Sequence, residues 1–185
     1  MSAADDESAS SPPAYTPTHT TAAADPHHHR FPSRASTSAT ASFSIHGGVG
    51  TAPEAGGTYM IRDLDSGRAL TLEGGQLSLK REAGTNGGWR WECAEDAEGW
   101  LGFREAVSYR YLGRDNRGGF CARAGKFAAW ERFCLRPLKE GGFQLMGIQW
   151  WTFKRMGIAE GKGDGESLVE VGEAKDAARW EFVEV

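Results

Sequence analysis

Three stretches of this chain open alike and close alike, and that repetition limits its possible folds more than any single motif does. Gly57-Thr58-Tyr59-Met60, Gly99-Trp100-Leu101 and Gly142-Phe143-Gln144-Leu145 stand 42 and 43 residues apart. Each stretch ends on an aromatic run: Trp89-Arg90-Trp91-Glu92, Trp130-Glu131-Arg132-Phe133 and Trp180-Glu181-Phe182. The first two also agree internally, Ser66-Gly67-Arg68-Ala69-Leu70 against Ser108-Tyr109-Arg110-Tyr111-Leu112. The third diverges in its middle.

Inside each unit the apolar residues alternate, as in Tyr59/Ile61, Leu70/Leu72, Trp89/Trp91/Cys93, Leu101/Phe103 and Phe143/Leu145. Period two over short runs, broken by turns such as Asp65-Ser66-Gly67 and Asp115-Asn116-Arg117-Gly118-Gly119, predicts about twelve short antiparallel strands. Four strands in each of three units is the arithmetic of an all-β fold, the β-trefoil, in units 57–98, 99–141 and 142–185. Threefold closure leaves few free edges and pools the inward residues into one core. The expectation places Trp91, Trp130 and Trp180 at equivalent core positions.

Residues 1–56 differ. They hold six of the seven prolines, all five histidines and none of the seven tryptophans. Too little apolar surface is present to offset the ~1–2 kcal/mol per residue of backbone ordering, so a disordered Ser/Thr/Pro/Ala-rich tail is expected. Its one sharp signal is Pro12-Pro13-Ala14-Tyr15, which resembles the PPxY ligand of WW domains: the proline pair presets polyproline II and Tyr15 fills an aromatic groove. A WW-domain protein is the partner that motif implies.

The run Tyr109-Arg110-Tyr111-Leu112-Gly113-Arg114-Asp115, followed by Gly119-Phe120-Cys121, Trp130-Glu131-Arg132-Phe133 and Gly142-Phe143-Gln144-Leu145, resembles a unit of fascin-type actin-crosslinking β-trefoils. A more distant resemblance is to ricin-B lectin-like trefoils. Their Gln-x-Trp signature is replaced here by Gly87-x-Trp89, Ala128-x-Trp130 and Ala178-x-Trp180. The first resemblance implies a non-catalytic scaffold that binds actin or another acidic protein. The second implies a glycan.

Charge sharpens the first expectation. The chain carries −4 overall. Unit one has 5 basic and 8 acidic residues, unit two 9 and 4, and unit three 5 and 8, so the middle unit alone is basic, at +5. A basic face of Arg104, Arg110, Arg114, Arg117, Arg123 and Lys126 would attract an acidic partner. The acidic whole argues against nucleic acid. The alternative rests on Trp100, Trp150 and Trp151: an exposed indole is a stacking platform for a sugar ring, and adjacent strand residues face opposite ways, so one of Trp150 and Trp151 should point outward.

Catalytic readings fare poorly. The last histidine is His46, so units one to three contain none for a Ser-His-Asp or Cys-His arrangement. Cys93, Cys121 and Cys134 form no CxxC pair and read as small core residues. Asp63 and Asp65 read as a turn in which Asp65 bonds downstream N–H groups. As a calcium loop the stretch fails, with Arg68 at position six and Gly74 at position twelve. The glycine run from Gly157 to Gly163 is one residue short of a phosphate loop, and 161–165 reads as a loop. No cofactor, no metal and no enzymatic activity are expected. No stretch reaches the ~18 apolar residues of a membrane helix and the first residues, MSAADDES, lack an apolar segment, so a cytoplasmic chain with reduced thiols is expected.

Overall fold

The computed structural model describes residues 51–160 and 166–185. The expected tail, its PPxY motif, and the glycine loop 161–165 lie outside them, apart from 51–56. Glu54 and Gly56 already belong to the folded unit: Glu54 N–H donates to Tyr59 Oη and Gly56 N–H to the Cys93 carbonyl, 2.9 and 2.8 Å.

Twelve strands form among the described residues: β1 (Thr58–Asp63), β2 (Ala69–Glu73), β3 (Gln76–Lys80) and β4 (Arg90–Glu95) in unit one; β5 (Leu101–Glu105), β6 (Tyr111–Arg114), β7 (Phe120–Ala124) and β8 (Phe133–Pro137) in unit two; and β9 (Phe143–Gln149), β10 (Thr152–Glu160), β11 (Glu166–Val171) and β12 (Trp180–Glu184) in unit three. Two 3₁₀ turns, Ala129–Glu131 and Ala174–Asp176, precede β8 and β12. Every pairing is antiparallel. The outer strands of each unit close a six-stranded ring, β1–β4–β5–β8–β9–β12 and back to β1. The inner strands make three hairpins, β2–β3, β6–β7 and β10–β11. A closed barrel with one hairpin per unit is a β-trefoil.

The core explains why the repeat exists. Ile61, Phe103 and Leu145 are fully buried at one position of the first strand of each unit, 42 residues apart. Leu70, Leu112 and Met156 are likewise fully buried on the hairpins, and Trp91, Phe133 and Trp180 on the closing strands. Each layer takes one side chain per unit, so no unit buries its apolar face alone. Burial of each contributes ~1.5–3 kcal/mol before entropy.

Trp130 departs from the expectation. Phe133, not Trp130, is the partner of Trp91 and Trp180, because β8 starts only at Phe133. The 3₁₀ turn before it, closed by Glu131 N–H to the Ala128 carbonyl (3.0 Å) and by Ala128 N–H to the Glu131 carboxylate (3.2 Å), turns the Trp130 ring outward to 47% exposure.

Two carboxylates hold the first turns of units one and two. Asp63 accepts Ser66 N–H at 2.9 Å and the Ser66 hydroxyl at 2.6 Å. Glu105 accepts Val107 N–H at 2.9 Å and Ser108 N–H at 2.6 Å. Asp65, the residue expected to do this, instead pairs with Arg179 on the surface. In unit three Gly147 occupies the equivalent place. No helix among the described residues is long and apolar enough to cross a membrane.

Candidate functional site

Unit three's first connection is a tight hairpin: Gln149 faces Thr152 in the register of β9 and β10, so Trp150 and Trp151 make up its two-residue turn. Such turns favour glycine where φ is positive. Here Trp150 sits at φ +55°, a conformation that costs an L side chain ~1–2 kcal/mol. It is 86% exposed and Trp151 is 94% exposed. The alternation expected of adjacent strand residues fails because both lie in the turn, where neither is committed to a sheet face.

Trp150 overhangs a cleft of about 550 Å³ whose walls include Trp100, Trp130, Ile148 and Gln149, with Arg114, Asn116 and Arg132 supplying polar groups. Trp151 is not among the lining residues. Trp100 is half-buried and backed by Phe153, ring centroids 6.1 Å apart. Three indoles and a few polar groups converge there, a lining whose chemistry suits flat apolar faces with polar edges.

Arg114 assembles it. The side chain runs under the cleft, pairs with Glu170 of β11 at 3.0 Å, and sets its guanidinium carbon 5.5 Å from the centre of the Trp130 ring. That path exists only because residue 147 lacks a side chain: a Cβ there would fall 2.6 Å from Arg114 Cδ. The divergence of unit three from the repeat therefore leaves room for Arg114 beside the cleft.

Arg132 stands at the rim, 2.8 Å from Asp96 Oδ2 and 2.8 Å from Glu98 Oε2. Burial pushes the Asp96 carboxyl up, but N–H groups of Trp100 and Glu98 and the Arg132 charge outweigh it and hold the group below the usual range. Burial lifts Glu131, beneath Trp130, above the ordinary carboxylate range despite the Ala128 N–H.

The expected basic face is only partly assembled. Arg114 is buried against Glu170, so it presents no free charge. Arg104 gives its Nε–H to Glu92 at 2.9 Å and lies over the Tyr109 ring, so its charge is locally matched. Both corrections have one cause, an acidic partner supplied by a neighbouring strand. Arg110, Arg117, Arg123 and Lys126 are exposed as expected. Arg110 and Arg123 line a second, more open cleft of about 620 Å³, opposite Glu73 and Glu105.

The cysteines are free thiols. Burial pushes Cys93 up to about 11 and raises Cys121 and Cys134, so none is an activated nucleophile. Among the described residues no cluster of three or more His, Cys, Asp or Glu side chains is arranged for a metal.

No protein-family model matches the sequence, and no curated protein matches it. Solved structures do. A ricin B-like lectin of Macrolepiota procera, solved with lactose, is 17% identical, with a TM-score of 0.55 over 73% of this chain and all of the lectin. The Rhizoctonia solani agglutinin is 14% identical, with a TM-score of 0.57 over 73% of this chain and 99% of the agglutinin. An endo-β-galactosidase of Clostridium perfringens that releases GlcNAcα1-4Gal is 16% identical, with a TM-score of 0.57 over 70% of this chain. This chain spans only 32% of that enzyme. At such identities the likeness is one of fold. None of the three is named for actin, and the fascin resemblance finds no support in them.

Proposed function

We propose that this protein is a non-catalytic carbohydrate-binding trefoil whose ligand enters the cleft between Trp100, Trp130 and Trp150. The observation that carries the reading is Trp150 itself. A large apolar side chain, almost fully exposed and held at positive φ, gains little burial from the fold, and strained residues of this kind gather at ligand sites. Sugar C–H faces stack on indoles, while Asn116, Gln149 and the outer N–H groups of Arg132 suit hydroxyls. The lectins that share the fold support the same class of ligand.

A glycan array probed with the whole chain and with Trp150→Ala and Trp130→Ala tests it. Binding by the parent chain, reduced at least about tenfold in both variants, is the expected result. The charge reversal Arg110→Glu/Arg123→Glu lies outside the cleft and should leave glycan binding unchanged. Co-sedimentation with actin filaments that this reversal abolishes, together with a blank array, would replace the carbohydrate reading with the basic-face one.

A further inference from the structure

We infer that the cleft selects an uncharged oligosaccharide over a sulfated or uronate-bearing one, an inference that rests on the carbohydrate reading above. The net charge of unit two, +5, points the other way, towards an acidic ligand. The geometry of the two guanidiniums decides the matter. Arg114 is matched by Glu170 inside the protein, the two side chains 5% and 7% exposed, so its charge is cancelled before any ligand arrives. Arg132 is held by two carboxylates at once, Asp96 and Glu98. Glu131 adds a further carboxyl beneath the Trp130 turn. The two arginines are thus the charged residues that line the cleft, and Glu170, Asp96 and Glu98, outside its lining, pair with them.

What remains for a ligand is neutral. Asn116 and Gln149 carry amides that both donate and accept, as sugar hydroxyls do. The indoles offer π-faces that need no charge. An incoming sulfate or carboxylate would have to displace Asp96 or Glu98 from Arg132 or sit beside them unpaired, and like charges so placed are rejected. The volume, about 550 Å³, lies in the range of ligands larger than one sugar ring.

The test measures affinities of matched neutral and acidic oligosaccharides, sulfated and uronate-bearing, for the whole chain at low and high salt. Neutral ligands should bind with little salt dependence, and their acidic counterparts at least about tenfold more weakly. The double variant Asp96→Asn/Glu98→Gln frees Arg132 and should strengthen the acidic ligands about tenfold while leaving the neutral ones nearly unchanged. Preference of the parent chain for acidic glycans, lost as salt rises, would overturn the inference, whether or not the double variant folds. Binding of neither class would instead overturn the carbohydrate reading on which it rests.

Discussion

Units two and three solve the same local problem, leaving the first barrel strand and starting the hairpin, in opposite ways. Unit two buries Glu105 and lets its carboxylate take two backbone N–H groups. Unit three has Gly147 there and closes a two-residue turn with Trp150 and Trp151 instead. The first arrangement satisfies the chain and leaves its charged group inside. The second gives up the buried cap, admits Arg114 from unit two, and spends its turn on two exposed indoles. In a symmetric fold, the place where one unit abandons the common solution is where a demand other than folding has acted.

The comparison is broken most severely at Arg114. Arg114→Met leaves Glu170 buried without its partner and should destabilise the domain by ~3–5 kcal/mol, read as a fall in denaturation midpoint. Adding Glu170→Met should recover much of that loss, because both charges are then gone. Next comes unit two's own device. Glu105→Ala orphans two N–H groups and should cost about 2–3 kcal/mol, whereas Glu105→Gln, which keeps one acceptor, should cost less. Unit three has no carboxylate to lose here.

Trp150→Gly sharpens the comparison from the other side. Glycine relieves the φ +55° strain, so thermal stability should rise by up to about 1 kcal/mol while glycan affinity falls. A variant that is firmer yet does not bind separates function from folding at one residue. The smallest effect is electrostatic. Hydrogen bonding from Arg179 holds the Asp65 carboxyl below its usual 3.8, and Asp96 is likewise lowered. Groups depressed in the folded state add stability that is complete above the ordinary carboxylate value and is lost as pH falls through the folded one. The Asp65 side chain is largely exposed and that of Asp96 only partly buried, so the step in stability at acid pH should be small, and Asp65→Asn/Asp96→Asn should flatten it.

The core was legible in the sequence because each layer draws equivalent positions from three units. Ile61, Phe103 and Leu145 repeat at a fixed interval, and alternation exposes them. Turns were not. Asp63 rather than Asp65 caps the first turn, since capping depends on where the strand ends, and alternation blurs there. Trp130 was misplaced for the same reason: three residues short of Phe133, it falls on a 3₁₀ turn that no apolar pattern announces. Trp100, Trp150 and Trp151 stand out as exposed candidates, yet the cleft that joins Trp100 and Trp150 also takes in Arg114, for which Gly147 leaves room. Their meeting is a property of the closed barrel. Net charge by unit is a poor guide to local charge, because Arg104, Arg114 and Arg132 draw their partners Glu92, Glu170, Asp96 and Glu98 from neighbouring units.

The most direct measurement follows the seven tryptophan indole N–H signals by NMR while an array-selected oligosaccharide is added. The account predicts that Trp100, Trp130 and Trp150 shift together and saturably, while Trp91 and Trp180, sealed in the core, stay in place. Saturable binding that leaves those three signals unmoved would contradict it.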